Sequence, residues 1–298
     1  MEFETTDHAD VRLRVLRSSD VTGAGVEGAL DALVQLATGP RLSGERCAPL
    51  GEEVVAKGGR TSEPGARRHS ARRWLTGARP PVEAEALNLD WLRERLFRAA
   101  SPVLALTVWR RGLLRGQLLL TRPVVGAAEL DLAWESEREK PTLAAELGAE
   151  LGRMHALRFL HGDAYARNLL VTDAPAAGGP GIGRRVAFID AWAGGPAGWR
   201  SRAFRPLERD LGSLFLDAAE WMEPDHQRIL LRSYLSARRQ NGRPIRDVES
   251  WLTAIGRARA RELRRLEQRP GRLRGHPPPP VSWRIDPASL RADRRRSP

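Results

Sequence analysis

The sequence predicts an α+β fold of two lobes, a small strand-rich N-lobe and a mainly helical C-lobe. Three observations carry the prediction. Strand-length apolar and alternating runs concentrate before residue 121. From Pro141 onward, apolar residues recur at helical spacing. The 298 residues, 41% of them hydrophobic, are enough to build two cores. The expected units are an N-terminal lobe over 1–122, a helical lobe over 123–268 and a basic, Pro-rich tail over 269–298.

Along the chain, Val11 to Leu16 alternates apolar and basic residues and reads as a strand. Residues 26–37 have the pattern of a short amphipathic helix. Residues 52–56 read as a strand that delivers Lys57 and stops at Gly58-Gly59. The polar, Arg-rich stretch 60–80 reads as a loop. Residues 82–97 predict a helix, entered after Pro80-Pro81 with acids in its first turn. Residues 103–109 and 116–120 predict two strands around an Arg-Arg-Gly turn. The junction between lobes falls near 121–128.

In the second lobe, Leu143, Leu147, Leu151 and Met154 mark one face of a helix over 141–158. From Pro141 onward, strands are expected only at 168–172 and 185–189. Further helices are expected at 206–222, 225–239 and 246–268. The tail from Pro270, with four consecutive prolines at 277–280, predicts an extended segment.

Composition narrows the function classes. Cys47 is the only cysteine, which excludes an intrachain disulfide and a cysteine-built metal cluster. No run of about 18 apolar residues occurs, and the acidic N-terminus lacks the apolar core of a signal peptide. A cytoplasmic protein, peripheral at most to the inner membrane, is the expectation. The net charge of +12 points to an anionic partner, or to the arginine enrichment of a GC-rich genome. Only Lys57 and Lys140 are lysines among 49 basic residues, so a lysine inside an apolar strand stands out. No nucleic-acid-binding motif occurs and no nucleic-acid partner is expected.

The strongest signal is His161-Gly-Asp163-Ala-Tyr165-Ala-Arg167-Asn168-Leu-Leu-Val. A helix precedes it, an apolar strand follows, and a second strand ends in Phe188-Ile189-Asp190. That spacing suits phosphoryl transfer, in which the protein mainly positions Mg-ATP and compensates charge. Asp163 is the candidate catalytic carboxylate that meets the acceptor hydroxyl. Asn168, five residues on, and Asp190, at the neighbouring strand end, are the candidate Mg²⁺ ligands, oxygen donors of the kind that cation prefers. His161 is expected to brace the loop. Arg167 is placed to reach toward the γ-phosphate. Lys57 matches a strand lysine that pairs nucleotide phosphates. Its partner acid belongs on the following helix, where Glu85 is preferred over Glu83. Asp210 opens a late helix and reads as structural. Tyr165 and Trp192 flank the loop, as acceptor contacts or as packing. The glycine pattern at Gly23, Gly25 and Gly28 lies too far upstream of Lys57 and runs into a helix, so the phosphate-covering loop is sought within 41–52 instead.

Over about 142–240 these residues resemble the lipopolysaccharide kinase family. The resemblance is carried by Met154-His155, the His161–Val171 run, Val186–Asp190 and Arg209-Asp210-Leu211. It implies a protein-kinase-like fold, ATP and Mg²⁺ as cofactors, and transfer of the γ-phosphate to a sugar hydroxyl of lipopolysaccharide. It also implies Asp163 as catalytic, Asn168 and Asp190 at the metal, and Lys57 with Glu85 at the nucleotide. Ala191-Trp192 and Thr121-Arg122 depart from the family pattern. An aminoglycoside-phosphotransferase-like small-molecule kinase and a non-catalytic kinase-like binding protein are the competing readings. A basic surface and tail would also suit an anionic membrane.

Overall fold

The computed structural model describes residues 1–8, 11–17, 47–50, 54–172, 185–196, 207–268 and 290. The expected helix at 26–37, the Gly23–Gly28 pattern and the tail from 270, apart from residue 290, lie outside these. So does most of the 41–52 candidate loop.

The chain divides into two units, one of Met1–Val125 with Asp190–Ala193, the other of Gly126–Ile189 with Gly194–Pro298. The first is built on six antiparallel strands: β1 (Glu2–His8), β2 (Val11–Arg17), β3 (Cys47–Leu50), β4 (Val54–Arg60), β6 (Ser101–Arg110) and β7 (Leu113–Arg122). Their order across the sheet is β1-β2-β6-β7-β4-β3. A two-residue strand, β5 (Arg98–Ala99), precedes β6. Period-two alternation gives the sheet two apolar faces. Leu104, Leu106, Leu118 and Leu120 pack with Val15 and Ala56 on one. Ala105 and Leu119 face the other way and, with Leu16, receive Val82 and Ala86 of a helix.

Two helices are described in this unit. α2 (Pro81–Glu94) is the helix foreseen over 82–97. α1 (Glu63–Thr76) corrects the loop expected at 60–80. Polarity misled there, because the segment has the punctuation of a helix. Pro64 sits in the first turn, where its missing N–H costs nothing. Gly77 ends it in the left-handed conformation (φ 65°) and donates its N–H to Arg73 at 2.7 Å. β1 pairs along its whole length with β2 and was not foreseen.

The second unit is mainly helical: α3 (Leu130–Ser136), α4 (Lys140–Ala156), α5 (Glu208–Trp221), α6 (Pro224–Gln240) and α7 (Val248–Glu267). Leu143, Leu147, Leu151 and Met154 of α4 are fully buried. α4 meets α6 through glycines. A Cβ on Gly148 would lie 2.0 Å from the Leu230 carbonyl oxygen, and one on Gly152 2.6 Å from that of Tyr234. Only hydrogen lets these backbones approach so closely. β10 (Leu169–Thr172) pairs antiparallel with β11 (Val186–Phe188) and with β8 (Ala127–Glu129). β9 (Phe159–Leu160) pairs with β12 (Gly195–Pro196). β9 and β12 correct the expectation of strands only at 168–172 and 185–189. Both are two residues long, too short to show a periodicity. Among the described residues no helix is long and apolar enough to cross a membrane.

Candidate active site

In the first unit, β4 lies between β3 and β7, with Lys57 opposite Cys47 on one side and Leu119 on the other. Its next residue, Gly58, passes so near β7 that a Cβ would meet the Gln117 carbonyl oxygen at 2.1 Å. The Lys57 ammonium donates to Glu85 Oε2 of α2 at 2.9 Å and to Asp190 Oδ1. Burial works against this ammonium, but the Glu85 and Asp190 carboxylates outweigh it and raise its pKa above the ordinary lysine range. Glu83, two residues before Glu85, points elsewhere. It pairs with Arg14 at 3.1 Å and accepts from the Thr107 hydroxyl at 2.9 Å. Two positions apart on a helix do not share a face, so the two glutamates serve different partners.

Asp190 has φ 58°, the left-handed region that a non-glycine residue enters at a cost. The short helical turn after it (Ala191–Ala193) is fastened by Asn88, whose Nδ2 donates to the Ala191 carbonyl at 2.7 Å. The aspartate is thus held in a conformation that its own backbone does not prefer.

In the second unit, the His161–Asn168 loop is tied at both ends. At its start, Gly162 turns with φ 81°. The N–H groups of His161 and Gly162 donate to the two carboxylate oxygens of Asp210 at 2.7 and 2.8 Å. Asp210 is wholly buried at the start of α5, and its Oδ2 also lies 3.1 Å from His155 Nε2. His155 Nδ1 reaches the Tyr234 hydroxyl at 2.7 Å. Burial would raise the Asp210 pKa, but His155 and the His161 contacts reverse this and leave it below the usual carboxylate range. The His161 ring is itself buried, 5.9 Å from Phe188.

At the loop's far end Asn168 is buried, and its Nδ2 donates to the Asp163 carbonyl at 2.7 Å and to Asp163 Oδ2 at 3.3 Å. The amide nitrogen is thereby committed to the loop, leaving its oxygen as the atom suited to a hard cation. The Asn168 carbonyl accepts from the Ile189 N–H at 3.1 Å, which registers the loop against the strand that leads to Asp190. Asp163 is half-buried. Arg167 is exposed, its guanidinium 4.4 Å over the Tyr165 ring.

Two further carboxylates reach the loop that local sequence does not reveal. Tyr165 is buried with its hydroxyl donated to Glu262 of α7, and Arg265 joins them at 3.3 Å. Its ring therefore packs inward, which decides between the two roles open to it. Asp217 Oδ2, on α5, accepts from the Ala166 N–H at 3.3 Å. Burial pushes the Asp217 carboxyl up to about 6, against the pull of that N–H and of Arg167. Glu262 and Asp217 lie 97 and 51 residues from the atoms they hold, so no motif spacing could have flagged them. Among the described residues no three His, Cys, Asp or Glu side chains gather into a metal-holding group. The oxygen donors present suit a cation that takes one or two protein ligands and draws the rest from phosphate and water.

The pattern of the lipopolysaccharide kinase (Kdo/WaaP) family matches residues 68–234, more than half of the chain. The chain belongs to that family. No curated protein matches the sequence. Among solved structures, this family member is similar to WaaP in complex with acyl carrier protein, at 19% identity and a TM-score of 0.51, over 83% of this chain and 98% of that one. It is also similar to a glucosamine kinase, at 15% identity and a TM-score of 0.42, over 88% and 89% of the two chains. A third similarity is to the Rio2 kinase of Chaetomium thermophilum with ADP, Mg²⁺ and phosphoaspartate, at 16% identity and a TM-score of 0.39, over 86% and 82%. The likeness to WaaP shows a shared protein-kinase-like fold, in keeping with the α+β arrangement described above.

Proposed function

We propose that this kinase-family chain transfers the γ-phosphate of ATP, with Mg²⁺, to a sugar hydroxyl of a lipopolysaccharide-type acceptor, in the inner core. One observation above all supports the reading. A strand lysine, in a chain with almost none, is ion-paired to the buried Glu85 and to the backbone-strained Asp190. A structural salt bridge needs neither the strain nor the second acid. ATP supplies the phosphoryl group, and Mg²⁺ offsets the charge that gathers on its phosphates.

The chain's own groups then divide the work. Lys57, oriented by Glu85, pairs the nucleotide's phosphates. Asn168 and Asp190 are the residues that would each offer an oxygen to the cation. Asp163 orients the acceptor hydroxyl and takes its proton as the oxygen attacks phosphorus. Arg167 offsets charge on the transferring group. Asp210 touches none of these; through the N–H groups of His161 and Gly162 it fixes the turn that presents Asp163.

The reading is tested by offering labelled ATP and Mg²⁺ with purified lipopolysaccharide, a membrane-free metabolite pool and a generic protein, each in parallel. Label on the lipopolysaccharide alone is the expected result. Label in the metabolite pool instead would reassign the chain to small-molecule phosphorylation. No transfer to any of the three, together with no thermal shift on adding ATP, would indicate a non-catalytic binding protein.

A further inference from the structure

Helix α1 is turned inside out relative to an ordinary surface helix. Its inner side meets the sheet with Ala66, fully buried, and with Arg73, whose guanidinium lies 4.5 Å over the Trp109 ring. Its two largest apolar residues point outward: Trp74 is 83% and Leu75 70% exposed. At about 100° per residue, the exposed side chains from Arg67 to Leu75 form one arc of roughly 160°. Ala71 and Leu75 run down its middle. Arg67 and Trp74 border one side, and Arg68 and Arg72 the other, all of them exposed. From Pro64 to Arg79 the chain carries five arginines and no acid. Isolated exposed apolar residues need no explanation, but a Trp-Leu pair ringed by cations on one helical face does.

We propose that this outer face of α1 docks on an anionic membrane surface. Trp74 and Leu75 enter the boundary between headgroups and acyl chains, while Arg67, Arg68 and Arg72 engage lipid phosphates. Several features fit a bilayer better than an acidic protein. Tryptophan is suited to that boundary, with an apolar ring and one polar N–H. Arginine stems lie along apolar surface while their heads stay at phosphate depth. The apolar ridge is convex and only two large side chains wide, which suits a fluid surface and offers a protein partner little to grip. Such a footprint binds reversibly and requires charge and apolar contact together. The proposal concerns attachment alone and stands apart from the phosphotransfer reading.

The test uses the full chain without nucleotide, co-sedimented with phosphatidylcholine vesicles or with vesicles containing phosphatidylglycerol as well. Trp74→Ser/Leu75→Ser removes the ridge, and Arg68→Ala/Arg72→Ala removes flanking charge. Arg239→Ala/Arg246→Ala removes equal charge from exposed positions in the second unit. The wild type is expected to bind only the anionic vesicles. Binding should fall about tenfold with the ridge variant and on the order of twentyfold with the α1 charge variant. The second-unit control should stay within about twofold, since it leaves the ridge and the arginines of α1 intact. All four proteins should melt alike, because the substituted side chains are exposed. Equal binding to neutral vesicles, no binding to anionic ones, or the same loss in the control as in α1 would each overturn the proposal. Capture of an acidic protein by a wild type that ignores vesicles would overturn it too. Since no ATP is present, none of these outcomes bears on catalysis, and a failed phosphotransfer assay leaves the membrane result standing.

Discussion

The two regions proposed to hold the chemistry are fastened in opposite ways. In the first unit, Lys57, Glu85 and Asp190 are joined side chain to side chain, with 26% of Lys57 and 29% of Asp190 still open to water. In the second, the 161–168 loop is held by its backbone, through N–H groups that donate to Asp210, whose side chain is 0% exposed. The difference is informative. Long side chains near water can exchange partners at small cost, so the lysine cluster can be remade around phosphates. A backbone turn bonded to a buried carboxylate has no alternative partner, so its geometry is fixed before any ligand arrives. One region is built to be rearranged and the other to stay put.

Breaking the fixed region should cost most. Asp210→Asn keeps the shape but removes a buried charge that serves two N–H groups and His155. About 3 kcal/mol of stability should be lost in denaturant unfolding at neutral pH, with activity falling alongside. The sign of the pH dependence follows from the lowered pKa. Above the unfolded value of about 3.9 the charged aspartate contributes in full, and the contribution is lost as pH falls through the lower folded value. Wild type and variant should therefore converge in strong acid. A variant as stable as wild type at neutral pH would erase the contrast between the regions.

Lys57→Ala strikes the adaptable region. Turnover should drop about a hundredfold through lost phosphate pairing, while the melting temperature falls less than for Asp210→Asn, because water can solvate Asp190 and Glu85 is the one buried carboxylate that loses the ammonium. A stability loss as large as that of Asp210→Asn would show that the lysine cluster is structural.

Asp217→Asn gives the smallest effect, and in the opposite direction. Asp217 is crowded by Glu220 and Asp131 as well as held by the Ala166 N–H and Arg167. With the folded carboxyl at about 6 and an ordinary aspartate value of 3.8, the folded state binds the extra proton between them. Stability should rise as pH falls through that window, and the charged form should burden the fold above it. The amide variant should gain about 1–2 kcal/mol at pH 7.5 and flatten the wild-type slope between roughly pH 4 and 6. A variant that keeps that slope would place its origin elsewhere.

The same contrast explains what could be read from sequence. The loop is one continuous run, so His161, Asp163 and Asn168 announce themselves by spacing, flanked by elements of clear periodicity. Lys57 was visible because arginine fills nearly every other basic position. The choice of Glu85 as its pairing acid followed from the face that the next apolar residues define. What was hidden depends on tertiary contact. Glu262 meets Tyr165 only because α7 packs against the loop, and Asp217 meets Ala166 only through α5. Helix α1 was hidden for another reason: it buries little more than a methyl group, so apolar periodicity, the usual sign of a helix, is absent from it.

The central claim is that Asp163 performs chemistry and leaves nucleotide binding to other residues. Single-turnover transfer of labelled phosphate from Mg-ATP to lipopolysaccharide, measured beside ATP affinity for the wild type and Asp163→Asn, tests it most directly. The account predicts a variant that binds ATP within about threefold of the wild type and transfers on the order of a thousandfold more slowly. A variant that transfers at the wild-type rate, or one that loses ATP binding in step with transfer, would contradict it.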